Sequence, residues 1–397
     1  MTTGNSDLDA SFIRLALRLA RRGYGRTSPN PMVGAVLVKA GKVIGQGWHH
    51  RAGEPHAEIE ALRDAERKGT SPHGATLYVT LEPCCTHGRT PPCTDAIKAA
   101  GIKRVVVAAT DPNPAHAGRG FRILKRAGIQ VTTGMLADEA AQLNEAFNHW
   151  IVHRTSFVTV KAAMTLDGKI ATASGESKWI TGEKARAEGM KLRGGADAIL
   201  VGVNTVLADD PSLTVRQGPR SKVQGPRLKG QAPRPQRIVL DSQARTPFRA
   251  KVVSDEFAGL TTIVVGKGAP ANRVQALEKR VNILRAPLKR GRIDLRWLLR
   301  RLGSENVTNL LVEGGGEVNA SFLLGGLAQR VTFFYAPMIL GGRDAHKGVA
   351  GEGARRLDEI LSLHEVEWRR VGDDLMMTAR IETPSTRLQS SNAIRAT

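Results

Sequence analysis

A histidine, a glutamate and two cysteines are the residues whose types and spacing could perform chemistry. His56 and Glu58 stand two residues apart in PHAE, and Cys84 and Cys93 stand nine residues apart in PCCTHGRTPPC. One imidazole and two thiolates supply three zinc ligands and leave a fourth position for water, as in catalytic zinc sites. Glu58 is not needed as a ligand, so it is free to carry protons to and from that water.

Two alternatives depend on the residues next to the first cysteine. A purely structural zinc site needs a fourth protein ligand, and Cys85 and His87 are available. Cys85 is also an alternative to Cys84 as the ligand, although the Pro-Cys junction after a strand favours Cys84. A structural site has no use for Glu58, and H-x-E followed by P-C is typical of zinc-dependent base deaminases. Their second cysteine usually comes three residues after the first, whereas Cys93 comes nine residues after it.

Alternating helices and strands are predicted to position these residues. Apolar spacing indicates a helix over 7–22, a strand over 33–38 and a turn at Gly41-Lys42 into a second strand through Val43 and Ile44. Helices are then predicted over 56–67, 93–100, 118–127 and 137–150, and strands over 76–80, 104–109 and 129–132. This order predicts an α/β sheet with helices on its faces. It also places His56 and Cys93 at helix N-termini, whose dipoles favour thiolate over thiol.

The pattern breaks at 149–156, where a second unit begins. Its strands are predicted over 157–163, 198–201, 237–241, 262–265, 309–312 and 331–335. A length of 397 residues favours two domains. We assign them to 1–150 and 157–381, and we expect the tail 382–397 to be disordered.

Composition limits the classes of function. Hydrophobic residues make up 41% of the chain, yet no stretch approaches the roughly 18 apolar residues that span a bilayer. The N-terminus shows no secretory signal, and three cysteines exclude a disulfide framework and fit a reducing cytosol. We therefore expect a cytoplasmic protein without a membrane partner.

The net charge of +21 allows nucleic-acid binding. Aromatic residues make up only 4% of the chain, too few to suggest a base-stacking platform. Part of the charge lies in the Pro-rich run 216–237, which has seven basic and no acidic residues and is predicted to be a solvated loop. We expect no nucleic-acid partner.

Four segments of the first half show a family resemblance. SPNPMVGAVLV, GWHHRAGEPHAE, LEPCCTHGRTPPC and DPNPAHAGRG resemble the deaminase half of the bifunctional riboflavin-biosynthesis deaminase/reductase. The wide Cys-x8-Cys spacing distinguishes that family from cytidine and transfer-RNA adenosine deaminases. The resemblance implies a cytidine-deaminase-like three-layer α/β domain in which Glu58 is catalytic. Its implied zinc ligands are His56, Cys84 and Cys93.

The same resemblance implies that Asn30 and His49 contact the substrate base or ribose phosphate. Taken alone, these residues are a turn asparagine and a surface histidine. One position departs from the family, which usually has histidine where this chain has Thr86. In the family this loop contacts the substrate, so here that contact would require His87 to take the place of the missing histidine. Arg89, in the same loop, is a candidate phosphate ligand because of its charge.

Three segments of the second half resemble the reductase half of the same family. They are VKAAMTLDGKIATASGESKWIT, Arg193 with LADDPSLTVR, and LLVEGGGEVNASFL. Taken alone, each has a simpler interpretation as a hairpin turn, a pair of solvated arginines or a glycine-rich turn. Paired arginines can nevertheless fork onto a phosphate, and glycines that open a helix present backbone N–H groups to an anion. The resemblance implies a dihydrofolate-reductase-like α/β domain that binds NADPH.

Carried over residue by residue, the resemblance gives two groups of contacts. The nicotinamide dinucleotide would contact Ala163, Trp179, Thr205, Asp209, Ser242, Gly315, Gly316, Glu317, Val318, Asn319, Ala320 and Ser321. The phosphorylated substrate would contact Ser177, Arg193, Leu213, Arg216 and Glu313, with Lys161 beside them.

The predicted function is two successive steps of riboflavin biosynthesis. The first half would deaminate 2,5-diamino-6-(5-phosphoribosylamino)pyrimidin-4(3H)-one with zinc, and the second would reduce the ribosyl of the product to ribityl with NADPH. Two other classes remain open, namely a nucleic-acid base deaminase with a binding domain and a zinc-braced scaffold with a degenerate second half. We expect a homo-oligomer whose order the sequence does not specify.

Overall fold

The computed structural model describes residues 3–87, 91–215 and 234–381, with side chains from residue 6 onward. The chain divides into two compact units, Met1–Thr155 and Ser156–Thr397. In the described ranges no helix combines the length and the apolar character needed to cross a bilayer. The predicted tail 382–397 and most of the basic run, 216–233, lie outside those ranges.

The first unit, as described, is a five-stranded sheet covered by helices. Its strands follow the order β2-β1-β3-β4-β5, with β1 antiparallel to both neighbours and β3, β4 and β5 mutually parallel, where the strands are β1 (Gly34–Lys39), β2 (Lys42–Trp48), β3 (Thr76–Leu81), β4 (Arg104–Ala109) and β5 (Gln130–Thr133). Its α-helices are α1 (Thr3–Ala20), α2 (Ala57–Arg67), α3 (Cys93–Ala99), α4 (Arg119–Arg126), α5 (Ala137–Leu143) and α6 (Glu145–His153).

Both faces of this sheet are buried. Along β1, Ala35 and Leu37 pack in a cluster with side chains of α2, α3 and α4, whereas Val36 and Val38 pack with side chains of α1 and α5. Successive side chains of a strand point to opposite faces, so each face acquires its own helical layer. The predicted three-layer α/β arrangement is confirmed.

The helix predicted over 137–150 is wrong, because the chain forms two helices there. Asn144, with φ −115° and ψ 23°, separates α5 from α6. Its side-chain Oδ1 accepts from Met32 N at 2.8 Å, and its Nδ2 donates to Met32 O at 2.8 Å. An asparagine side chain that satisfies backbone groups elsewhere favours a helix boundary over a helix interior. Apolar spacing cannot reveal a partner this distant in sequence.

The second unit contains a nine-stranded sheet within the described residues, in the order β11-β10-β9-β8-β14-β6-β15-β18-β17. All neighbouring pairs are parallel except β15–β18 and β18–β17. Two further pairs, β12 with β13 and β16 with β7, lie outside this sheet. The strands of the unit are β6 (Phe157–Thr165), β7 (Lys169–Ala171), β8 (Ala198–Gly202), β9 (Gln236–Leu240), β10 (Thr261–Gly266), β11 (Asn282–Ala286), β12 (Leu288–Lys289), β13 (Arg292–Ile293), β14 (Asn309–Val312), β15 (Arg330–Ala336), β16 (His346–Lys347), β17 (Leu363–Val371) and β18 (Asp374–Ile381). Its α-helices are α7 (Glu183–Gly194), α8 (Val203–Asp209), α9 (Lys251–Ser254), α10 (Ala271–Glu278), α11 (Leu295–Ser304) and α12 (Gly316–Leu323). The six strands predicted for this half are all present.

The end of the basic run lies in a strand and not in a solvated loop. Arg237 lies in β9 and is only 1% exposed. Its guanidinium donates to both carboxylate oxygens of Asp255, at 2.7 and 2.8 Å, to Thr261 Oγ1 at 2.8 Å and to Ser212 O at 2.9 Å. A buried charge is tolerated when it is paired and hydrogen-bonded in this way. The loop interpretation of the run is therefore wrong at Arg237.

Candidate functional site

Three side chains of the first unit meet at the beginnings of two helices. His56 directly precedes α2, Cys93 is the first residue of α3, and Cys84 lies in the loop after β3. Their ligand atoms all lie within 4.8 Å of one another, with His56 Nδ1 3.5 Å from Cys84 Sγ and 3.3 Å from Cys93 Sγ. Tetrahedral zinc with the usual bond lengths places N and S ligands roughly 3.5 Å apart. The three atoms therefore fit a zinc ion.

The geometry distinguishes Cys84 from the adjacent Cys85 as a metal ligand. Across the part of the chain that the structure describes, no other group of histidine, cysteine or acidic residues is arranged for a metal, and neither Cys85 nor His87 joins this one. Hydrogen bonds from Cys93 and then His56 lower the pKa of the Cys84 thiol. Burial raises the pKa of Cys85 instead. Cys84 is the thiol of the pair that is prepared to act as a thiolate.

Glu58 is the acidic group of this cluster. It lies in the first turn of α2, and it is only 3% exposed. Burial raises its pKa to about 7, although the charge of the nearby His56 acts in the opposite direction. A carboxyl group beside the metal ligands and withdrawn from bulk water is suited to carry a proton to and from a reacting group.

Exchange of each adjacent cysteine for serine tests this distinction. Cys84→Ser is expected to lower the zinc content of the purified protein well below one ion per chain, because a serine hydroxyl is a poor zinc ligand. Cys85→Ser, the matched control, is expected to keep the zinc content of the unaltered protein. Elemental analysis of both variants measures the zinc content. Zinc loss in Cys85→Ser alone would contradict the assignment of Cys84 as the ligand.

Asn30 and His49 lie beside this cluster and contact each other. The ring centroid of His49 is 5.2 Å from that of His56, and Asn30 Nδ2 is 3.1 Å from His49 Nε2. Burial lowers the pKa of His49, which is only 2% exposed. The two predicted substrate residues are therefore brought together, but His49 is not the surface histidine of the simpler interpretation.

The loop after the cluster cysteines is described only in part. Thr86 is half-buried and His87 is exposed, whereas Arg89 lies outside the described residues. The expected consequences of Thr86 and the phosphate-binding role of Arg89 stay predictions.

In the second unit, predicted site residues gather where central parallel strands end. Glu313 follows β14, and Thr205 lies in α8, which follows β8. Lys161 and Ala163 lie in β6, which pairs with β14 on the side opposite β8. In open α/β sheets, ligands bind at the carboxyl edge of such strands.

Arg193 and Glu313 form a buried ion pair. Arg193 Nε and Nη2 donate to Glu313 Oε1 and Oε2 at 3.0 and 2.6 Å, and Nη1 donates to Thr214 O at 3.0 Å. The two side chains are 12% and 9% exposed. Burial opposes the charge of Glu313, but the charges of Arg193 and Lys161 lower its pKa to about 2. Arg193 therefore holds a carboxylate in this structure, and the predicted fork with Arg216 is not described because Arg216 lies outside the described residues.

The remaining predicted contacts form smaller groups. Ser177 Oγ donates to Asp209 Oδ1 at 2.8 Å, which joins a predicted substrate residue to a predicted cofactor residue. A Cβ added to Gly315 would lie 3.8 Å from Thr205 Oγ1, so α8 and the N-terminus of α12 are neighbours. The predicted residues of this segment precede α12 or lie within it, and they are Gly315, Gly316, Glu317, Val318, Asn319, Ala320 and Ser321.

Four predicted ligand contacts have distinct surroundings. Leu213 is 2% exposed and packs in the core, and the fully buried Asn319 donates through Nδ2 to Gly348 O at 2.8 Å. Trp179 is 66% exposed beneath the Arg186 guanidinium, and Ser242 accepts through its carbonyl from Gly266 N. The Leu213 side chain and the Asn319 amide nitrogen therefore contact other parts of the protein, and the ligand contacts of these four residues stay predictions.

Both units match family models. Residues 6–109 match the cytidine and deoxycytidylate deaminase zinc-binding region, and residues 156–377 match the RibD C-terminal domain. The chain is 44% identical to the riboflavin biosynthesis protein RibD of Aquifex aeolicus, covering 94% of this chain and 98% of that protein. The chain belongs to the RibD family of riboflavin biosynthesis proteins.

Solved structures of RibD proteins resemble the whole chain. The Acinetobacter baumannii RibD structure has a TM-score of 0.82 at 34% identity, with 95% of this chain and 100% of that chain covered. The Thermotoga maritima diaminohydroxyphosphoribosylaminopyrimidine deaminase/5-amino-6-(5-phosphoribosylamino)uracil reductase has a TM-score of 0.78 at 34% identity, with the same coverage. These likenesses confirm the predicted family and its pairing of a deaminase-like with a reductase-like α/β fold.

The sequence patterns did not single out two carboxylates of this chain, Glu82 and Asp167, which bind backbone groups. Glu82, 6% exposed, accepts from the backbone N–H groups of Asp111, Gly118 and Gly120 and so ties their loop to the end of β3. Asp167, interpreted only as a hairpin-turn residue, accepts from the backbone N–H groups of 340 and 341. For Glu82, the acidic residue just before Pro-Cys was the available signal. For Asp167 there was no local signal, because its backbone donors are more than 170 residues away in sequence.

Proposed function

We propose that residues 1–150 form the deaminase domain and residues 157–381 the reductase domain of a bifunctional enzyme. Riboflavin biosynthesis, with a deaminase and a reductase activity, follows from family membership. The proposed substrate of the first domain is 2,5-diamino-6-(5-phosphoribosylamino)pyrimidin-4(3H)-one, and the second would reduce the deaminated product. The observation that carries the proposal is the zinc-compatible cluster with the buried Glu58 beside it.

In the deaminase domain we assign His56, Cys84 and Cys93 to the metal. Zinc at such a site supplies water that ionises near neutral pH. The oxygen of a water molecule would bond to the ring carbon as the C–N bond breaks. Glu58 would take up one proton of that water at its carboxylate and return it to the departing amine, so that the nitrogen leaves as ammonia. Burial of Glu58 removes competing bulk water from this transfer.

In the reductase domain, the Arg193–Glu313 pair organises the substrate side of the site. Bidentate pairing fixes the Glu313 carboxylate, whose remaining lone pairs are proposed to accept from the substrate. Because Arg193 already binds the Glu313 carboxylate, we assign the substrate phosphate to other cationic side chains. Lys161 is our candidate among the described residues. The Lys161 side chain lies against α7, where a Cβ added to Gly189 would be 3.8 Å from Lys161 Nζ.

NADPH is assigned to the groups around α8 and the N-terminus of α12, where it would supply the hydride. Gly316 permits the close backbone packing of this turn, since a Cβ there would clash with Lys347 O. Gly315 precedes the helix, so backbone N–H groups and the positive end of the helix dipole are available to a cofactor phosphate.

The finer biological setting is also proposed. We place the enzyme in the cytoplasm without a nucleic-acid or membrane partner, and we propose a homo-oligomer. The edge strand β17 exposes Val366 (45%) and Trp368 (59%), and an edge of this kind is available for pairing with a second copy. Light scattering tests the oligomer, and RNA binding no tighter than non-specific at physiological salt is the expected result.

A coupled assay tests both activities. Purified enzyme with zinc is expected to release ammonia from the pyrimidine phosphate and then to oxidise NADPH. Chelation of zinc is expected to stop ammonia release but to leave reduction of the separately supplied deaminated product, because the described metal ligands all lie in the first unit. Full ammonia release from metal-free enzyme would overturn the zinc assignment, and no NADPH oxidation with the product would overturn the reductase assignment.

A further inference from the structure

His49 is adjacent to the predicted metal ligands yet closed to a ligand. It is 2% exposed, and its ring meets the His56 ring edge-on, with 5.2 Å between centroids. Its Nδ1 is 3.1 Å from Pro55 O, and its Nε2 is 3.1 Å from Asn30 Nδ2. Both polar atoms of the ring are therefore engaged by the protein.

These two contacts determine which atoms carry hydrogens. A carbonyl oxygen only accepts, so His49 Nδ1 must donate to Pro55 O. The atom that faces His49 Nε2 is Asn30 Nδ2, which can only donate, so Nε2 is the acceptor of this hydrogen bond. Asn30 must offer its Nδ2 hydrogen to His49 Nε2, which selects one of the two possible orientations of the Asn30 amide.

The selected orientation leaves Asn30 Oδ1 as the group directed away from His49. Asn30 is partly exposed, and among the described residues no donor reaches its Oδ1. The backbone around it is held by Asn30 N donating to Thr27 O at 2.8 Å, and Pro29 and Pro31 on either side restrict φ. Asn30 thus presents a fixed hydrogen-bond acceptor beside the metal cluster.

We propose that His49 is a positioning residue for deamination, which acts by holding the Asn30 amide with its Oδ1 toward a hydrogen-bond donor of the substrate. The proposal rests on the proposed deaminase function. It differs from the resemblance, which has His49 itself in contact with the substrate. The partner of Asn30 Oδ1 is an N–H of the pyrimidine or an O–H of its sugar phosphate.

Two substitutions of His49 each keep one of its two hydrogen bonds and remove the other. In His49→Gln the side-chain oxygen can still accept from Asn30 Nδ2 at the position of Nε2. In His49→Asn the shorter amide can still donate to Pro55 O at the position of Nδ1, but it leaves Asn30 without its partner. Both variants keep a polar, buried side chain, so they are matched in their demands on the fold.

Substrate binding is measured in zinc-loaded Glu58→Gln protein, which is expected to bind substrate without turning it over. His49→Asn and Asn30→Ala are each expected to weaken binding roughly tenfold, the value of about one hydrogen bond. His49→Gln is expected to stay within about threefold of the parent. The combination of His49→Asn with Asn30→Ala is expected to bind no more weakly than Asn30→Ala alone, because the two residues act as one unit.

Additive losses in the combined variant would overturn the proposal, since they would mean that His49 touches the substrate independently. Equal losses in His49→Gln and His49→Asn would overturn it as well. Zinc content and thermal unfolding of each variant guard against misfolding. Wild-type protein that binds no pyrimidine phosphate would instead refute the deaminase function itself.

A second ligand, 2,5,6-triaminopyrimidin-4-one, lacks the sugar phosphate and distinguishes the two possible donors. If Asn30→Ala still weakens binding of this ligand, the donor is an N–H of the ring. If Asn30→Ala no longer affects binding, the donor is an O–H of the sugar phosphate.

Discussion

Replacing Glu58 with glutamine is expected to lower the rate of ammonia release by about 10²- to 10⁴-fold, the range that a positioned acid or base contributes. Glutamine has nearly the same shape but cannot accept and return a proton. The three metal ligands are untouched, so one zinc per chain is expected to remain. Since the substitution removes a buried acidic group whose burial opposes ionisation, no loss of folding stability is expected.

The matched control lies two residues further along the same helix. Glu60 is also in the first turn of α2, but it pairs with Arg63 at 3.1 Å instead of approaching the cluster. Glu60→Gln is expected to keep the full deamination rate, and both variants are expected to oxidise NADPH normally when given the deaminated product. Ammonia release by Glu58→Gln within a few-fold of the unaltered enzyme would refute the assigned role of Glu58, and zinc loss would show that it supports the metal instead.

The deaminase half could be predicted largely from local patterns. Alternating apolar residues specify the two faces of β1. The sequence pattern also places His56 and Cys93 at the beginnings of two helices and Cys84 after a strand, and these three residues meet in space. The choice of Cys84 over Cys85 depends on which of two neighbouring side chains turns toward His56. That direction is a tertiary property, so sequence left both alternatives open.

The reductase half shows where local patterns stop being sufficient. Arg193 and Glu313 are 120 residues apart in sequence, and nothing near either residue indicates that their charges neutralise each other. The same is true of Arg237, whose position at the end of a basic, Pro-rich run suggested solvent exposure. Its partner Asp255 is brought close by the packing of the unit around β9. Buried ion pairs are long-range features that apolar periodicity does not encode.

The largest expected effect on stability concerns Arg193→Met. The substitution leaves the Glu313 carboxylate buried without its principal partner, and breaking such a pair typically costs about 3–5 kcal/mol. Urea denaturation of the second unit should show this loss in the free energy of unfolding, together with loss of NADPH oxidation. Lys191→Met is the control on the same helix, because Lys191 forms a surface pair with Glu188 that is expected to contribute at most about 1 kcal/mol.

A second substitution and the pH dependence show whether the stability loss in Arg193→Met comes from the isolated charge of Glu313. Adding Glu313→Gln to Arg193→Met removes the isolated charge and is expected to restore much of the stability without restoring reduction. The pKa of Glu313 is about 2 when folded, against 4.5 for an ordinary glutamate, so the ionised pair stabilises the fold above about pH 4.5. That contribution is lost as the pH falls from about 5 toward 2, and the doubly substituted protein should lack this part of the acid sensitivity. If Arg193→Met were no less stable than Lys191→Met, the ion pair would be a surface-like contact, and its assignment as the support of the reductase site would fail.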